Sequence, residues 1–453
     1  ASTLYLVGVI YLYRLTGTLN LDLMIGSAGL EGAAGAAAVF FVLAALLVEL
    51  KPFPANGWAI DAYEAANPGL GALFSGAQAT AMLFALYKVF PLLSDAHLAV
   101  VMWAGIVTFA FSNLVGLRQT ATRRMFGYSS AGQVGFVAAA LAFGARYVEG
   151  SDFAWLVAGG LLANHLLAKT GLFLLSAAFE RDGDGSMKGR PGTLVAAAAG
   201  VLVAALVGLP PFPAFWAKWD LVRVALATRE YAFVALVGAG GLFEAWYLFS
   251  WLIRLVKGGA DETPEAAPVP VLRVGADGVG PVLAALGLAA LGGLSAWTRG
   301  FTDPLFWAPL AGGLLFLALD RLPGKLKALL AAAAIAAFGY FALPSMSEFQ
   351  KIFALMILGG GALHAFAGGY LTGRRAGHFP LYVMTVLSLG YALVAESALG
   401  FFMAWELMAL GGYFLVLQGA KGRSASMIYL AFSIGGAFLM MAGLQLGGGW
   451  IGG

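Results

Sequence analysis

Uncharged apolar runs of about 20 residues recur along the whole chain, and they restrict it to folds that cross a membrane, since a helix of that length spans a hydrocarbon core of roughly 30 Å. Of the 453 residues, 61% are hydrophobic and 11% are charged, whereas soluble domains have about 25% charged residues. The pattern predicts an all-α polytopic membrane protein with about 14–16 transmembrane helices. The predicted helices are residues 3–14, 33–50, 70–90, 97–116, 126–143, 154–178, 193–209, 213–228, 231–256, 281–298, 305–319, 326–343, 350–370, 379–397, 399–418 and 425–446.

The residues that usually hold cofactors are scarce. The chain has no cysteine and four histidines, none of which pair at helical ligand spacing. The lack of cysteine excludes disulfides, iron–sulfur clusters held by thiolates and zinc sites built on cysteine. No P-loop or Rossmann nucleotide-binding sequence is present. We therefore expect neither a cofactor nor a metal in this chain.

Two proline-rich segments interrupt the helical pattern, at residues 47–69 (LVELKPFPANGWAIDAYEAANPG) and 208–222 (GLPPFPAFWAKWDLV). Proline removes a backbone donor, and the freed carbonyls are tolerated at membrane depth only where protein or a water-filled cavity surrounds them. Broken helices of this kind are typical of ion or substrate sites in transporters. The alternative is that both segments are ordinary loops between helices.

A third segment, 256–280, is rich in proline, glycine and acidic residues and predicts an exposed linker between transmembrane blocks 1–255 and 281–453.

Charged residues inside predicted spans are the candidate functional residues. A charge at the centre of a bilayer costs about 2.5–3.5 kcal/mol on the insertion scale, so such residues usually face the protein interior and mark ion routes. Glu406 lies in the middle of GFFMAWELMALGGYFLVLQG, residues 400–419, too far from either end to reach the interface. Lys169 is also mid-helix, with His165 four residues earlier on the same face, and the pair suits a proton relay. The alternative for all three is a polar contact that holds helices together.

Four further charged residues are candidates, and three of them lie at or near the interruptions. Glu49 and Lys51 precede the first break, and Lys218 follows the second one between two tryptophans. Each of these has an alternative as an anchor at the membrane interface. Glu244 lies within apolar sequence and is a candidate for the end of an ion pathway.

Five segments resemble one known family. They contain a Trp-Glu pair followed by Tyr, a broken helix with Trp58 and Asp61, an Arg-x-x-x-Tyr-Ser-Ser sequence, an Asn-His-x-x-x-Lys helix and a Gly-Leu-Pro-Pro sequence ending in Lys. The segments are Phe402–Tyr413, Pro54–Pro68, Arg124–Gly135, Asn164–Phe173 and Gly208–Lys218. Together they resemble the antiporter-like membrane subunits of respiratory complex I, of multisubunit sodium/proton antiporters and of membrane-bound hydrogenases.

The resemblance implies a fold of about fourteen helices with two inverted repeats, ion translocation along a central polar axis and no redox cofactor in this subunit. Glu406 is then the acidic partner near the start of the route, and Lys169 the central relay lysine. The sequence departs from the family where Glu49 and Thr80 stand in place of lysines, and where Asn56-Gly57 replaces a histidine-containing pattern.

The order of the segments is also unusual, because the family's Trp-Glu helix precedes its broken helix, whereas here it comes last. We therefore expect a segment of a longer fused chain, with 1–255 resembling the later part of one antiporter-like unit and 281–453 the early part of a second.

The leading hypothesis is a proton- or Na⁺-translocating subunit of a complex-I-like NADH:quinone oxidoreductase or an energy-converting hydrogenase. A subunit of a stand-alone cation/proton antiporter, a non-conducting membrane scaffold and an unrelated solute transporter are the alternatives. The expected partners are other membrane subunits, hydrophilic redox subunits and the lipid bilayer, without nucleic acid. The expected location is a prokaryotic cytoplasmic membrane.

Overall fold

The structure is a computed structural model and describes residues 1–148, 151–180, 187–257, 271–272, 278–368, 377–419 and 422–446. It is helical apart from two strands of two residues each, β1 (Arg190–Pro191) and β2 (Val271–Leu272), which pair in parallel. The chain forms two compact units, residues 1–293 and 294–453. Most of the predicted linker 256–280 lies outside the described residues.

The first unit contains twelve α-helices and the start of a thirteenth within the described residues. They are α1 (Ser2–Thr16), α2 (Leu21–Met24), α3 (Gly32–Glu49), α4 (Gly57–Ala65), α5 (Pro68–Leu73), α6 (Ala79–Val89), α7 (Asp95–Gly116), α8 (Thr122–Tyr147), α9 (Ser151–Phe179), α10 (Thr193–Val207), α11 (Pro213–Ala227), α12 (Tyr231–Lys257) and α13 (Val279–Thr298). A π-helical turn, Phe74–Gln78, joins α5 to α6, and 3₁₀ turns lie at Ala28–Leu30 and Phe90–Leu92.

The second unit is built from seven further helices. They are α14 (Pro304–Ala318), α15 (Gly324–Ala342), α16 (Glu348–Ala354), α17 (Gly360–Gly368), α18 (His378–Val394), α19 (Ala398–Leu417) and α20 (Gly422–Leu446). A π-helical turn, Leu355–Gly359, joins α16 to α17, and 3₁₀ turns lie at Leu319–Arg321 and Leu343–Ser345.

Within the described residues, eleven helical segments are long and apolar enough to cross a membrane. Each of the sixteen predicted helices has a counterpart in the structure, but five counterparts are only 15–17 residues long: α1, α10, α11, α14 and α18. At 1.5 Å per residue such a helix is about 22–26 Å long, shorter than a typical hydrocarbon core. The all-helical membrane fold is thus confirmed, and the predicted number of spans includes several short helices.

The first interruption is buried and fixed to α7. After α3 ends, Lys51 adopts a left-handed conformation with φ of 62°, and its side chain is buried. The amide of Phe53 donates to Thr108 Oγ1 at 3.0 Å, and Asn56 Nδ2 donates to Ser112 Oγ at 3.0 Å. Thr108 of α7 therefore bonds a main-chain amide that the interruption leaves outside the helical ladder, as a broken helix inside a bundle requires, and Ser112 holds the side chain of Asn56.

The second interruption, between α10 and α11, is buried as well. The helix α10 ends at Gly208, whose φ of 87° places it in the left-handed region that glycine tolerates best. The helix α11 begins with Pro213, whose missing amide hydrogen is no loss at the first helical position. Residues 209–217 between and after these points are buried, so the break lies inside the protein.

The centre of the first unit is α8. In its most apolar stretch, 94% of the residues are buried. Its contact with α7 depends on two glycines that face each other. A Cβ atom on Gly105 or on Gly135 would overlap the main-chain oxygen of the other residue. Small residues at such crossings let membrane helices approach closely. The position of α8 relative to α7 is therefore tightly defined, and α8 carries several residues of the site described next.

Candidate functional site

A continuous row of hydrogen bonds starts at Lys51, in the first break. Lys51 Nζ donates to Tyr63 Oη at 2.9 Å, and Tyr63 Oη lies 3.1 Å from Ser130 Oγ. Ser130 Oγ lies 2.6 Å from Ser75 Oγ, which is 3.3 Å from His165 Nε2. Because the Tyr63 oxygen accepts from Lys51, its own hydrogen is available to Ser130. Every link from the ammonium to the imidazole is a group that donates and accepts protons.

The π-helical turn positions Ser75 for two contacts with His165. His165 Nε2 lies 3.0 Å from the Ser75 main-chain oxygen as well as near the Ser75 hydroxyl. Such turns are frequent at functional sites, because the wider turn changes the course of the backbone ladder. The other ring nitrogen, Nδ1, is buried and has no hydrogen-bond partner within the described residues.

Lys169 is fully buried one turn along α9 from His165. Its Nζ lies 3.3 Å from the main-chain oxygen of Phe126 and 5.5 Å from the centre of the Phe126 ring. The oxygen and the ring face both attract a cation. His165 is close enough to Lys169 and Lys51 for electrostatic interaction with both, which relates the row of hydrogen bonds to the α9 lysine.

Glu244, on α12, is fully buried. It interacts electrostatically with both Lys218 and Lys169. Two side chains of α8 bond its carboxylate: Ser129 Oγ donates to Oε1 at 2.6 Å, and Gln133 Nε2 donates to Oε2 at 2.6 Å. A buried carboxylate with two donors and two neighbouring cations is compensated, which explains how it is tolerated here.

The end of α10 collects three buried donors from three different helices. The main-chain oxygens of residues 205, 206 and 207 accept, in that order, from Asn164 Nδ2 at 2.8 Å, Gln133 Nε2 at 3.3 Å and Lys218 Nζ at 2.6 Å. The last carbonyls of a helix have no partner within the helix and carry its negative dipole end. The second break thus leaves carbonyl groups at the end of α10, and one of them binds the amine of Lys218.

An ion cluster joins two of the family-like segments nearer the surface. Arg124 Nη1 lies 2.9 Å from Asp61 Oδ1 and 2.6 Å from Glu64 Oε2. The two carboxylates are on α4, before and after the buried Tyr63 in the sequence. Arg124 is on α8, which also carries Ser130. The cluster therefore connects the same two helices as the Tyr63–Ser130 contact.

The structure brings five of the seven predicted site residues together: Lys51, His165, Lys169, Lys218 and Glu244. Glu49 is the last residue of α3, is partly exposed and takes no part in the row of hydrogen bonds. Glu406 lies in the second unit, on the buried face of α19, and its Oε1 atom has no hydrogen-bond partner within the described residues.

The neutral members of the site were not predicted from the sequence. Tyr63, Ser130 and Ser75 link Lys51 to His165, and Ser129 and Gln133, on the same helix as Ser130, bond Glu244. Ser129 and Ser130 belong to a segment noted for its resemblance, but hydroxyl groups are too common for their spacing to mark a site. Thr80, at a position where the family has lysine, bonds Gly76 O on its own helix at 2.8 Å.

The described residues contain no group of three or more His, Asp or Glu side chains that could hold a metal ion. The site itself supplies amines, an imidazole, a carboxylate and hydroxyls. These groups exchange protons, and the carboxylate and helix-end carbonyls attract cations.

A family model described as NADH:quinone oxidoreductase/Mrp antiporter, TM, matches residues 1–243, more than half of the chain. The chain belongs to this family. The matched region contains every residue of the site in the first unit except Glu244, which follows directly after it.

The chain is also similar in sequence to two individual proteins, one from a quinone oxidoreductase and one from an antiporter. NADH-quinone oxidoreductase subunit N of Desulforudis audaxviator is 30% identical over 292 residues, covering 60% of this chain and 56% of the relative. A subunit of the Na(+)/H(+) antiporter of Alkalihalophilus pseudofirmus is 28% identical over 283 residues, covering 59% of this chain and 55% of the relative. The chain thus spans a little over half the length of these relatives.

Among solved structures, a chain of the membrane-bound sulfane sulfur reductase, described as an archaeal respiratory membrane complex, has the same fold. The TM-score is 0.55 with 27% identity, over 65% of this chain and 60% of that chain. The all-helical architecture and the predicted relationship to the antiporter-like family are confirmed.

Proposed function

We propose that this chain is a membrane subunit through which protons or sodium ions cross the bilayer in a multisubunit complex. The observation that carries the proposal is the succession of buried groups from Lys51 through His165, Lys169 and Glu244 to Lys218. Burying three lysines, a histidine and a carboxylate in one membrane domain is costly, and ionisable residues inside membrane domains usually mark ion pathways. Alternating proton-exchanging groups offer a route along which a proton moves in short steps.

Each group has a distinct role in this proposal. Lys51 and the hydroxyls of Tyr63, Ser130 and Ser75 pass protons to and from His165. Lys169 is the central relay, and Glu244 sets its charge state by electrostatic attraction shared with Lys218. Lys218 alternates between the helix-end carbonyl of Val207 and the carboxylate of Glu244.

Glu406 is proposed as the acidic residue of a separate step in the second unit. Its buried carboxylate has an oxygen without a partner in the described part of the chain, which suits a group that gains and loses a proton. Whether residues 1–255 and 281–453 are parts of two antiporter-like units stays a prediction. The family match over residues 1–243 falls within the first of these blocks.

The proposed setting is a redox complex of a prokaryotic cytoplasmic membrane, with other membrane subunits and with hydrophilic redox subunits as partners. The support is the relative named as a subunit of NADH-quinone oxidoreductase and the structural relative from a respiratory membrane complex. A stand-alone cation/proton antiporter is the second candidate, because the relative named as an Na(+)/H(+) antiporter subunit is almost as similar.

The first experiment is to purify the intact complex from native membranes, identify its subunits by mass spectrometry and reconstitute it in liposomes. Ion movement is driven by the substrate of any redox subunit that co-purifies, or otherwise by an imposed sodium gradient. It is read with a pH-sensitive dye with and without Na⁺. Iron–sulfur or flavin subunits in the preparation favour the redox complex, and membrane subunits alone favour the antiporter.

The decisive variant is Lys169→Ala, with Lys88→Ala as its matched control. Lys88 is an exposed lysine in the last turn of α6. We expect the first variant to lose ion transport, because the central amine is gone, and the second to keep it. Normal transport by a correctly assembled Lys169→Ala complex would refute the ion route and support a non-conducting scaffold.

A further inference from the structure

A second buried carboxylate in the first unit lies outside the route described so far. Glu180 directly follows the last residue of α9, and it is buried although it lies at the end of a membrane span. Thr122 Oγ1 donates to Glu180 Oε1 at 2.5 Å, and Trp251 Nε1 donates to the same oxygen at 2.7 Å. The carboxylate therefore contacts the first residue of α8 and a fully buried side chain of α12.

A thin aromatic layer separates this carboxylate from Lys169. Phe126 contacts Lys169 with both its ring and its main-chain oxygen, and its ring packs edge to face on Trp251 with centres 5.1 Å apart. Phe173 also packs edge to face on Phe126, with ring centres 5.4 Å apart. Since Trp251 bonds Glu180, Lys169 and Glu180 lie on opposite sides of a layer about two rings thick.

We propose that Glu180 exchanges protons between Lys169 and the aqueous phase at this end of the membrane, with the Phe126–Trp251 pair as the barrier between them. This inference rests on the proposed function. In the step, the Lys169 ammonium loses one proton, which crosses the layer when the rings part and water enters. The Glu180 carboxylate gains that proton and then releases it to water. Lys169 is left as a neutral amine that the His165 and Glu244 side of the route can reprotonate.

The identity of the side chain supports a role beyond packing. Thr122 and Trp251 both donate to one oxygen of this side chain, Oε1. Burial removes the charge of a carboxylate from water, and a buried ionisable group at the end of a membrane span is a candidate for proton exchange. The position of Glu180 also suits proton exchange with Lys169. Glu180 lies at the end of the helix that carries Lys169, about 16 Å from that residue along the helix axis.

The test uses Glu180→Gln and Glu180→Ala in the complete complex reconstituted in liposomes, with Glu348→Gln as the control. Glu348 is an exposed glutamate with a side chain 90% accessible. The glutamine variant keeps an acceptor for Thr122 and Trp251, but its amide does not exchange protons in the physiological pH range. We expect Glu180→Gln to assemble normally and to lower proton transport by about 100-fold, the usual contribution of a positioned acid–base group. Azide, a small weak acid able to carry protons into the vacated space, should restore transport in Glu180→Ala.

The outcomes separate this inference from the proposed function. Transport at the wild-type rate in Glu180→Gln would overturn the inference, and so would a loss of transport in Glu180→Ala that azide does not reverse. If Glu180→Ala does not assemble, the glutamine variant decides alone. If Lys169→Ala transports normally, the proposed function fails. If Lys169→Ala is inactive while Glu180→Gln is active, only the inference about Glu180 fails.

Discussion

The ammonium of Lys218 donates to the main-chain oxygen of Val207 at 2.6 Å, at the point where α10 ends. Gly208 makes this contact possible, because its left-handed conformation turns the chain away and its missing side chain leaves room for the amine. A Cβ atom at position 208 would lie 2.9 Å from Lys218 Nζ. The aromatic rings of Phe109 and Phe136 also lie near this amine, and each ring centre is 5.8 Å from Lys218 Nζ.

Gly208→Ala is therefore expected to disturb the site as well as the backbone. A residue with a Cβ costs about 1–2 kcal/mol in the left-handed conformation, and the new methyl group pushes the Lys218 amine from its place. We expect a lower melting temperature of the purified complex together with lower ion transport. The matched control is Gly200→Ala within α10, where a Cβ meets open space. That variant should be at least as stable as the wild type, since alanine is favoured over glycine in helices. Equal behaviour of the two variants would contradict this account of Gly208.

Tyr63→Phe tests the row of hydrogen bonds between Lys51 and His165. The variant keeps the ring that packs on Phe173 at 6.0 Å, but it removes the oxygen between Lys51 and Ser130. We expect a loss of about 1–3 kcal/mol in stability, because the buried ammonium loses a partner, and a large loss of transport. Tyr340→Phe, at an exposed tyrosine, is the control. Full transport by Tyr63→Phe would show that protons reach His165 by another path.

The ion cluster between α4 and α8 predicts a small, salt-dependent coupling. Arg124 and Glu64 are both partly exposed, so their pair should contribute about 0.2–1 kcal/mol. A double-mutant cycle with Arg124→Gln and Glu64→Gln measures this coupling from thermal stability. Raising the salt concentration should weaken it, because exposed charges are screened. A coupling unaffected by salt would mean that the cluster is more shielded from water than its exposure indicates.

Glu406→Gln tests the second unit independently of the first. The substitution preserves shape and removes the titrating group, so we expect the complex to assemble and keep its melting temperature while its ion transport falls. Glu348→Gln serves again as the control for an exposed glutamate. Unchanged transport in the Glu406 variant would indicate that this carboxylate holds helices together, with no part in conduction.

The helices were predictable from sequence because membrane spans have a strong signal, namely length and lack of charge. The charged members of the site were predictable for the same reason, since Lys169 and Glu244 are conspicuous in apolar sequence. Their partners were not, because Ser75 and Ser130 are ordinary in helices and become part of a route only when α8 and the π-helical turn bring them to 2.6 Å. Glu180 was missed because a glutamate at the end of a span normally faces water, and only the packing of α8 and α12 shows that it is buried.

Ser129 and Ser130 are consecutive on α8, yet they serve opposite sides of the site: Ser130 contacts Tyr63 and Ser75, and Ser129 contacts Glu244. Neighbouring residues on a helix point about 100° apart, so one rigid helix aims both hydroxyls at once. A rotation of α8 that broke one contact would break the other in the same movement. The glycine crossing with α7 resists such a rotation, so the contacts to Tyr63 and Ser75 and the contact to Glu244 all depend on the position of a single helix.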